Sequence, residues 1–474
     1  MICQLPIANF SSIPRFWPYL CHLPMLSKSY SYHIRKTLFL ALPVCFSQLG
    51  HILVGFVDTA MVGRIDGIGS QAQAAMNITN SVYTLVLVFG LGISFGLTPL
   101  VAAADGAKKP GRITELLRNA FLVNTSIGIV LFILLLFASP LLHYLKQDPG
   151  VVEIAIPFMN VMIFSLVPLS LYSTCKQFAE GLSDTRLAMI ISLSGNLMNV
   201  LLNYILIFGH WGFKPMGVMG ACWGSFYARL FMGLAMLLYI WFKPSYRIYR
   251  EAFRMKNFSV PTMKEILGTG VPTGLQWVFE VGAFSVAGLM AGTLSVEKQA
   301  AHQVALTIAA CTYMFASGLS AAVSVRTGNA LGRKNRTEMR KAGFTGFMMV
   351  TVFMLSCAIL FITCRHTLVS LLSQDVQVLE AASGLLIIAA MFQLSDGLQV
   401  IGLGALRGMN DTKFPTILTL IAYWGIGLPC SYLLGLRFGF GLSGIWYGFV
   451  IGLSFSAIGL LWRFERISRK VELV

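Results

Sequence analysis

Apolar stretches of twenty or more residues recur along almost the whole chain, and short polar connections are all that separate them. In lipid every backbone N–H and C=O must find a partner within its own segment or a closed barrel. Stretches of this kind therefore fold as helices, each needing roughly 20 residues to cross about 30 Å of hydrocarbon. Twelve spans are predicted, at about 37–64, 77–104, 119–142, 151–174, 187–208, 217–241, 265–292, 303–330, 342–364, 382–405, 415–436 and 441–462. With 56% hydrophobic and only 11% charged residues among 474, and a mean hydropathy of +0.74, the chain has too little polar side chain to wet a soluble surface. The fold class expected is an all-α membrane protein of twelve transmembrane helices.

An even number of spans puts both ends on one side. Of the 35 Lys and Arg residues, 28 fall at the ends, at the connections that share their face or, for Arg326, in the last turns of span 8 on that face. Six fall on the opposite face (Arg64, Lys146, Lys214, Lys298, Arg365 and Arg437), and Arg229 lies within a span. The positive-inside rule then places both termini in the cytoplasm. The same asymmetry accounts for the net charge of +16 without nucleic acid, so the basic run from Arg333 to Lys341 reads as topology and contact with anionic headgroups. Nine scattered cysteines form no CxxC pair and read as small apolar fillers. Residues 1–36 carry Pro6, Pro14, Pro18 and Pro24 and lack the apolar core of a cleavable signal; they are expected to be an N-terminal cytoplasmic segment, with Met25 an alternative start.

The chain also repeats itself at an offset of about 224–229 residues. Pro43 aligns with Pro272 and Gly63 with Gly292. GLSDT at 181–185 aligns with GMNDT at 408–412, setting Asp184 over Asp411, and GVMGACWG at 217–224 aligns with GLSGIWYG at 441–448. Six helices per half give two lobes in the same sense, related by a pseudo-two-fold axis along the membrane normal around a central cleft. The expected division is residues 37–242 for the N-lobe, 243–264 for a cytoplasmic linker, 265–465 for the C-lobe and 466–474 for a tail. Two such bundles suit alternating access, and Pro43 and Pro272 mark helices able to bend.

Three acids sit inside these spans away from the first turn of the helix: Asp58, Glu280 and Asp396. A charged side chain at the bilayer centre costs roughly 2.5–3.5 kcal/mol on insertion scales, so intramembrane acids point to a cation or proton path. HExxH is absent and no catalytic His and Asp cluster within the spans, so the chain is not expected to be an enzyme. No basic residue falls within the predicted spans 7 and 10, which leaves Glu280 and Asp396 without a cationic partner on their own helices.

Four strings, GFVDTAMVG at 55–63, FEV at 279–281, AAHQVAL at 300–306 and QLSDGLQVIGLGALRGMNDT at 393–412, resemble the multidrug and toxic compound extrusion (MATE) family, in its NorM-like bacterial branch. The resemblance runs from about residue 37 to 465. It implies an export antiporter of the bacterial inner membrane, driven by Na+ or H+ and needing no other cofactor. It puts one cation site on Asp58, Asn199 and Asn203 in the N-lobe and a cation or proton site on Glu280 and Asp396 in the C-lobe, with Na+ a candidate ligand at all three acids. Gln303 and Gln399, in two of the matched strings, are auxiliary candidates. Where the family carries a tyrosine four residues before the second-lobe aspartate, this chain has Phe392. That change removes a phenolic oxygen but keeps a ring for a cation–π contact.

A monovalent cation leaving water exchanges hydration oxygens for protein oxygens, and Asn199 and Asn203, at i and i+4, would offer two amide oxygens on one helix face beside Asp58. Glu280 and Asp396 could hold one cation or share one proton between them. Arg229 lies outside the family pattern; it is expected to snorkel to an interface or to pair with Asp58, which would lower cation affinity there. His302 is expected to make an interhelical or capping hydrogen bond, and His51 is left without an assigned role. The 34 Phe, 15 Tyr, 8 Trp and 22 Met supply a plastic lining for cationic or amphiphilic small molecules. Lipids are the other partners expected, nucleic acid is not, and the chain is expected to act as a monomer. A flippase for lipid-linked oligosaccharide or lipid II is the alternative, although it would call for a strongly cationic cavity.

Overall fold

The computed structural model describes residues 28–470 apart from 66, 68, 146, 147 and 255. The proposed start at Met25, and most of the 1–36 segment, lie outside the described residues. Twelve helices have the length and hydropathy to cross a membrane: α1 (Tyr30–Val62), α2 (Gly69–Gly106), α3 (Pro110–Ala138), α4 (Pro149–Gly181), α5 (Thr185–Phe208), α6 (Val218–Phe242), α7 (Val260–Leu294), α8 (Val296–Gly332), α9 (Arg336–Thr363), α10 (Val376–Gly408), α11 (Lys413–Arg437) and α12 (Gly441–Arg469).

Several helices outrun the predicted spans, because hydropathy marks the lipid-covered stretch whereas a helix ends at its caps. The Ser259 hydroxyl accepts from Thr262 N at 3.4 Å and starts α7, Ser295 accepts from Lys298 N at 3.2 Å and starts α8, and Asp375 accepts from Gln377 N at 2.8 Å and starts α10. The 37 residues of α8 measure about 55 Å, far more than the hydrocarbon core. Three charges assigned to connections thus fall inside helices, Lys176 and Glu180 in α4 and Arg407 in α10, and Arg326 joins them in α8. All four are buried. The expectation of no basic residue on the helices of Glu280 and Asp396 is corrected accordingly, since α10 runs on to Arg407 and α7 contains Lys264. The expected 243–264 linker shrinks to the 3₁₀ turns Pro244–Arg254 and a few residues after them.

Prolines break two helices where polar groups are needed. Pro99 has no N–H for the Phe95 carbonyl and α2 is interrupted at Gly96; Pro168 does the same to Phe164 and α4 is interrupted at Ser165. In α11, π-helical turns at Ile421–Gly427 and Leu433–Arg437 take the place of the regular ladder.

Helices α1–α6 and α7–α12 form two lobes, and the seam between them lies at the end where α1 begins and α12 finishes, here called the proximal end. Leu40, Ala41 and Cys45 of α1 pack into the core of the second lobe, and Ile266 of α7 packs into the first. Backbones meet closely here. A Cβ on Gly92 would stand 2.4 Å from Gly274 Cα, and one on Gly96 would stand 2.6 Å from Gly270 Cα. The repeat-related contact sets Gly318 of α8 against Cys45 of α1. Polar bonds close the same end. Arg326 donates to the His33 carbonyl at 2.9 Å and to the Thr37 hydroxyl, Asn329 donates to Asp105 at 2.8 Å, and Arg112 donates to Thr262 at 2.7 Å and pairs with Glu265. Among the described residues, every hydrogen bond and ion pair between the lobes belongs to this proximal half, so the lobes are free of such ties around the three acids.

Candidate functional site

The C-lobe site is built from four helices. Glu280 on α7 and Asp396 on α10 are both more than nine-tenths buried, and their charges act on one another. Tyr313 on α8 sets its hydroxyl 3.4 Å from Glu280 Oε2. Tyr423, carried on the first π turn of α11, accepts a hydrogen bond from Gln399 Nε2 at 2.7 Å and faces the same two acids. Arg407 lies three turns below Asp396 on α10. Eleven residues at 100° each return to nearly the same face about 16 Å along the helix, and the charge of Arg407 reaches Glu280. Among the described residues, neither acid has an ion-pair partner.

Unsatisfied polar atoms mark the same region: Arg407 Nε, Gln399 Oε1 and Gln276 Oε1 are buried without a hydrogen-bond partner. Buried polar groups are nearly always paired, so a cluster of orphans around two acids is suited to a hydrated ion or an ordered water chain. Of the auxiliary candidates, Gln399 belongs to this cluster, whereas Gln303 is exposed. Phe392 is buried, but its ring stacks on Trp446 with centroids 5.5 Å apart, one turn from Asp396. Trp446 in turn donates to His302 Nδ1 at 3.1 Å, tying α12 to α8. The phenols absent at Phe392 are thus supplied by Tyr313 and Tyr423, which sequence reasoning did not single out.

In the N-lobe, Asp58 on α1 is half-buried and Asn203 Nδ2 donates to its Oδ1 at 2.7 Å. The same nitrogen reaches Asn199 Oδ1 at 3.2 Å, and Asn199 Nδ2 donates to Ser225 Oγ on α6 at 3.0 Å. The structure brings the three predicted residues together, but the asparagine nearest the carboxylate presents an N–H to it where an amide oxygen was expected. Arg229, one turn beyond Ser225, neither snorkels nor touches Asp58. Its Nη1 donates to Tyr83 OH at 2.5 Å and to Ser165 Oγ at the break in α4. His51 is exposed and meets Ser192 Oγ at 3.3 Å. Deeper in this lobe Lys176 and Glu180 form a buried ion pair 3.8 Å apart.

The MatE family model matches the chain twice, over residues 43–205 and 272–433, one match in each lobe. The chain belongs to the MatE family. Two bacterial relatives are similar over nearly their full length. One is a probable multidrug resistance protein NorM of Rhizobium meliloti (strain 1021), 31% identical over 95% of this chain and 97% of its own. The other is the multidrug resistance protein MdtK of Cronobacter sakazakii (strain ATCC BAA-894), 30% identical over 94% and 97%. Among solved structures, the eukaryotic MATE transporter AtDTX14 superposes with a TM-score of 0.84 at 20% identity, covering 93% of this chain and 98% of that one. A multidrug resistance MATE family transporter in an outward-facing conformation gives 0.84 at 19% identity, covering 92% and 96%. At this identity the likeness is one of fold, and it agrees with the twelve-helix, two-lobe architecture. MatE proteins are transporters, not enzymes, and this member is a multi-pass membrane protein.

Proposed function

We propose that this MatE protein is a cation-driven antiporter of the bacterial inner membrane that expels organic cations and amphiphilic drugs in exchange for Na+ or H+. The observation that carries the reading is the pair Glu280 and Asp396, two buried acids of one lobe whose charges act on one another and which have no ion-pair partner among the described residues. Such a pair is costly to keep in a membrane unless a cation or proton visits it. The export of drugs comes from the relatives, which are named as multidrug resistance proteins.

Among the described residues the lobes are bonded at the proximal end only, which under the topology of the basic residues is the cytoplasmic end; the cleft then opens outward, ready to admit an ion and release cargo. A ligand can drive the switch only through unequal affinity for the two states, and acids whose surroundings change as the lobes rock supply that difference. Inward movement of one positive charge at 100 mV adds about 2.3 kcal/mol.

The test is efflux of a cationic dye from proteoliposomes under sodium and proton gradients imposed separately. One gradient is expected to drive efflux, and Glu280→Gln and Asp396→Asn to abolish the drive. If neither gradient moves the dye, or both variants match the wild type, the reading is wrong.

A further inference from the structure

The two lobes differ in how their buried charges balance. In the C-lobe the two acids share their surroundings with one arginine, Arg407, and are left one positive charge short, since the lobe's other buried arginine, Arg326, is engaged at the proximal seam with His33 and Thr37. In the N-lobe Lys176 and Glu180 cancel as an ion pair, and the remaining charges at membrane depth are Asp58 and Arg229. That lobe is electrically complete as it stands.

Geometry ties the last two together. From Asp58 a continuous polar ladder runs through Asn203 and Asn199 on α5 to Ser225 on α6, and one helical turn further along α6 is Arg229. The guanidinium is held in place: Tyr83 and Ser165 accept from Nη1, and the Ser165 hydroxyl donates in turn to the Met162 carbonyl. Arginine cannot give up its charge at any relevant pH, so this is a fixed positive centre. Asn203 and Arg229 are the groups whose hydrogen bond and charge bear on Asp58.

A second observation points the same way. A cation site needs oxygens around its carboxylate. Here Asp58 Oδ1 accepts from an amide N–H at 2.7 Å, and each asparagine of the ladder turns its NH2 toward the next acceptor. That arrangement solvates an anion with N–H donors, while the amide oxygen of Asn203 that is left over lies against Gly224.

We propose that Arg229 is the resident counter-ion of Asp58, standing in for the cation that the N-lobe would otherwise recruit, and that one monovalent cation or proton is taken up per molecule, at Glu280 and Asp396. The inference rests on the proposed cation coupling and specifies which lobe performs it. Arg229 is a positioning charge: it acts on ion binding through Asp58 and touches no cargo.

The experiment counts cation equivalents on the purified full-length protein, by radiosodium binding at alkaline pH and by proton uptake on a pH jump. Wild type is expected to take one equivalent, lost in Glu280→Gln. Arg229→Gln is expected to take two, the second disappearing in the Arg229→Gln/Asp58→Asn double variant, while Arg229→Lys stays at one. A gain in binding also certifies that the variant is folded. If Arg229→Gln retains the Glu280-dependent equivalent and gains none, or if wild type already takes two with one depending on Asp58, the proposal is overturned and cation coupling survives. If no Glu280-dependent equivalent exists in any protein, the coupling reading fails instead, and an Asp58-dependent gain in Arg229→Gln would still uphold the role of Arg229.

Discussion

Gly224 of α6 holds open the space that Asn203 of α5 occupies: a Cβ on Gly224 would stand 2.0 Å from Asn203 Oδ1. The Asn203 oxygen is buried without a partner, and its position fixes the N–H that reaches Asp58. Gly224→Ala is therefore expected to push the amide off Asp58 and to destabilise the protein by about 1–3 kcal/mol, the usual cost of overpacking. Asn203→Ala removes the obstacle, so the double variant should be more stable than the sum of the singles allows. Thermal unfolding of all four proteins in detergent measures the cycle; strictly additive losses would show that the glycine serves some other purpose.

The proximal seam depends on backbones that touch. With Gly92 and Gly274 in contact, Gly92→Val has no room for its side chain unless the lobes part. Cys45 reports on that parting. It is buried at the repeat-related contact, and its thiol lies 3.4 Å from the Phe315 carbonyl across the seam. Maleimide labelling of Cys45, resolved by mass spectrometry, is expected to rise about tenfold or more in Gly92→Val, on the reasoning that packed interiors do not yield gradually, and dye efflux to fall. Unchanged labelling would mean that the lobes accommodate valine while closed.

Between α4 and α5, outside the membrane spans, Asp184 accepts from Lys243 at 2.5 Å, Tyr239 at 2.6 Å and Tyr246 at 2.7 Å. Burial alone would raise this carboxyl, but the hydrogen bonds from Lys243, Tyr239 and Tyr246 outweigh it and hold the group below its ordinary value of 3.8. A depressed native pKa stabilises the fold fully above the unfolded value and ceases to do so as pH falls through the native one. Asp184→Asn should thus cost about 1 kcal/mol at pH 7 and progressively less below pH 4, a trend that paired thermal melts across that range would reveal. A gap that stays constant down to pH 3 would refute the assignment.

The hydrophobic pattern made the twelve spans and the two halves legible, because lipid leaves helices and closed barrels as the only spanning structures and the duplicated turns carry matching residues. It could not show where helices end, since Ser259, Ser295 and Asp375 cap them well beyond the apolar stretch. That is why Arg407 was assigned to a connection although it lies inside α10. Yet the repeat that sets Asp184 over Asp411 also sets Glu180 over Arg407, one position carrying opposite charges in the two lobes, and both are buried. Asp411 is held by Arg463 from the end of α12 at 2.8 Å, as Asp184 is by Lys243 after α6. Tyr313 and Tyr423 were not legible: in helices apolar on every face no periodicity says which of 15 tyrosines points at an acid. Nor could spacing foretell that Asn203 would offer nitrogen to Asp58.

The π turn of α11 places Tyr423 where Gln399 can reach it, and this bond is the one tie between that turn and the helix carrying Asp396 for which a clean cycle exists. Gln399 is fully buried and its Oε1 already lacks a partner. Tyr423→Phe would strand Nε2 as well, and a stranded buried donor costs about 1–3 kcal/mol. Replacing both groups by apolar ones removes the penalty, so Tyr423→Phe/Gln399→Leu should recover most of the stability lost in Tyr423→Phe. Transport should not recover with it, because the phenol and amide facing Glu280 and Asp396 are gone. Melting temperature and gradient-driven efflux, measured on the same preparations, separate the two effects; efflux returning together with stability would show that the pair matters to the fold and not to the ion.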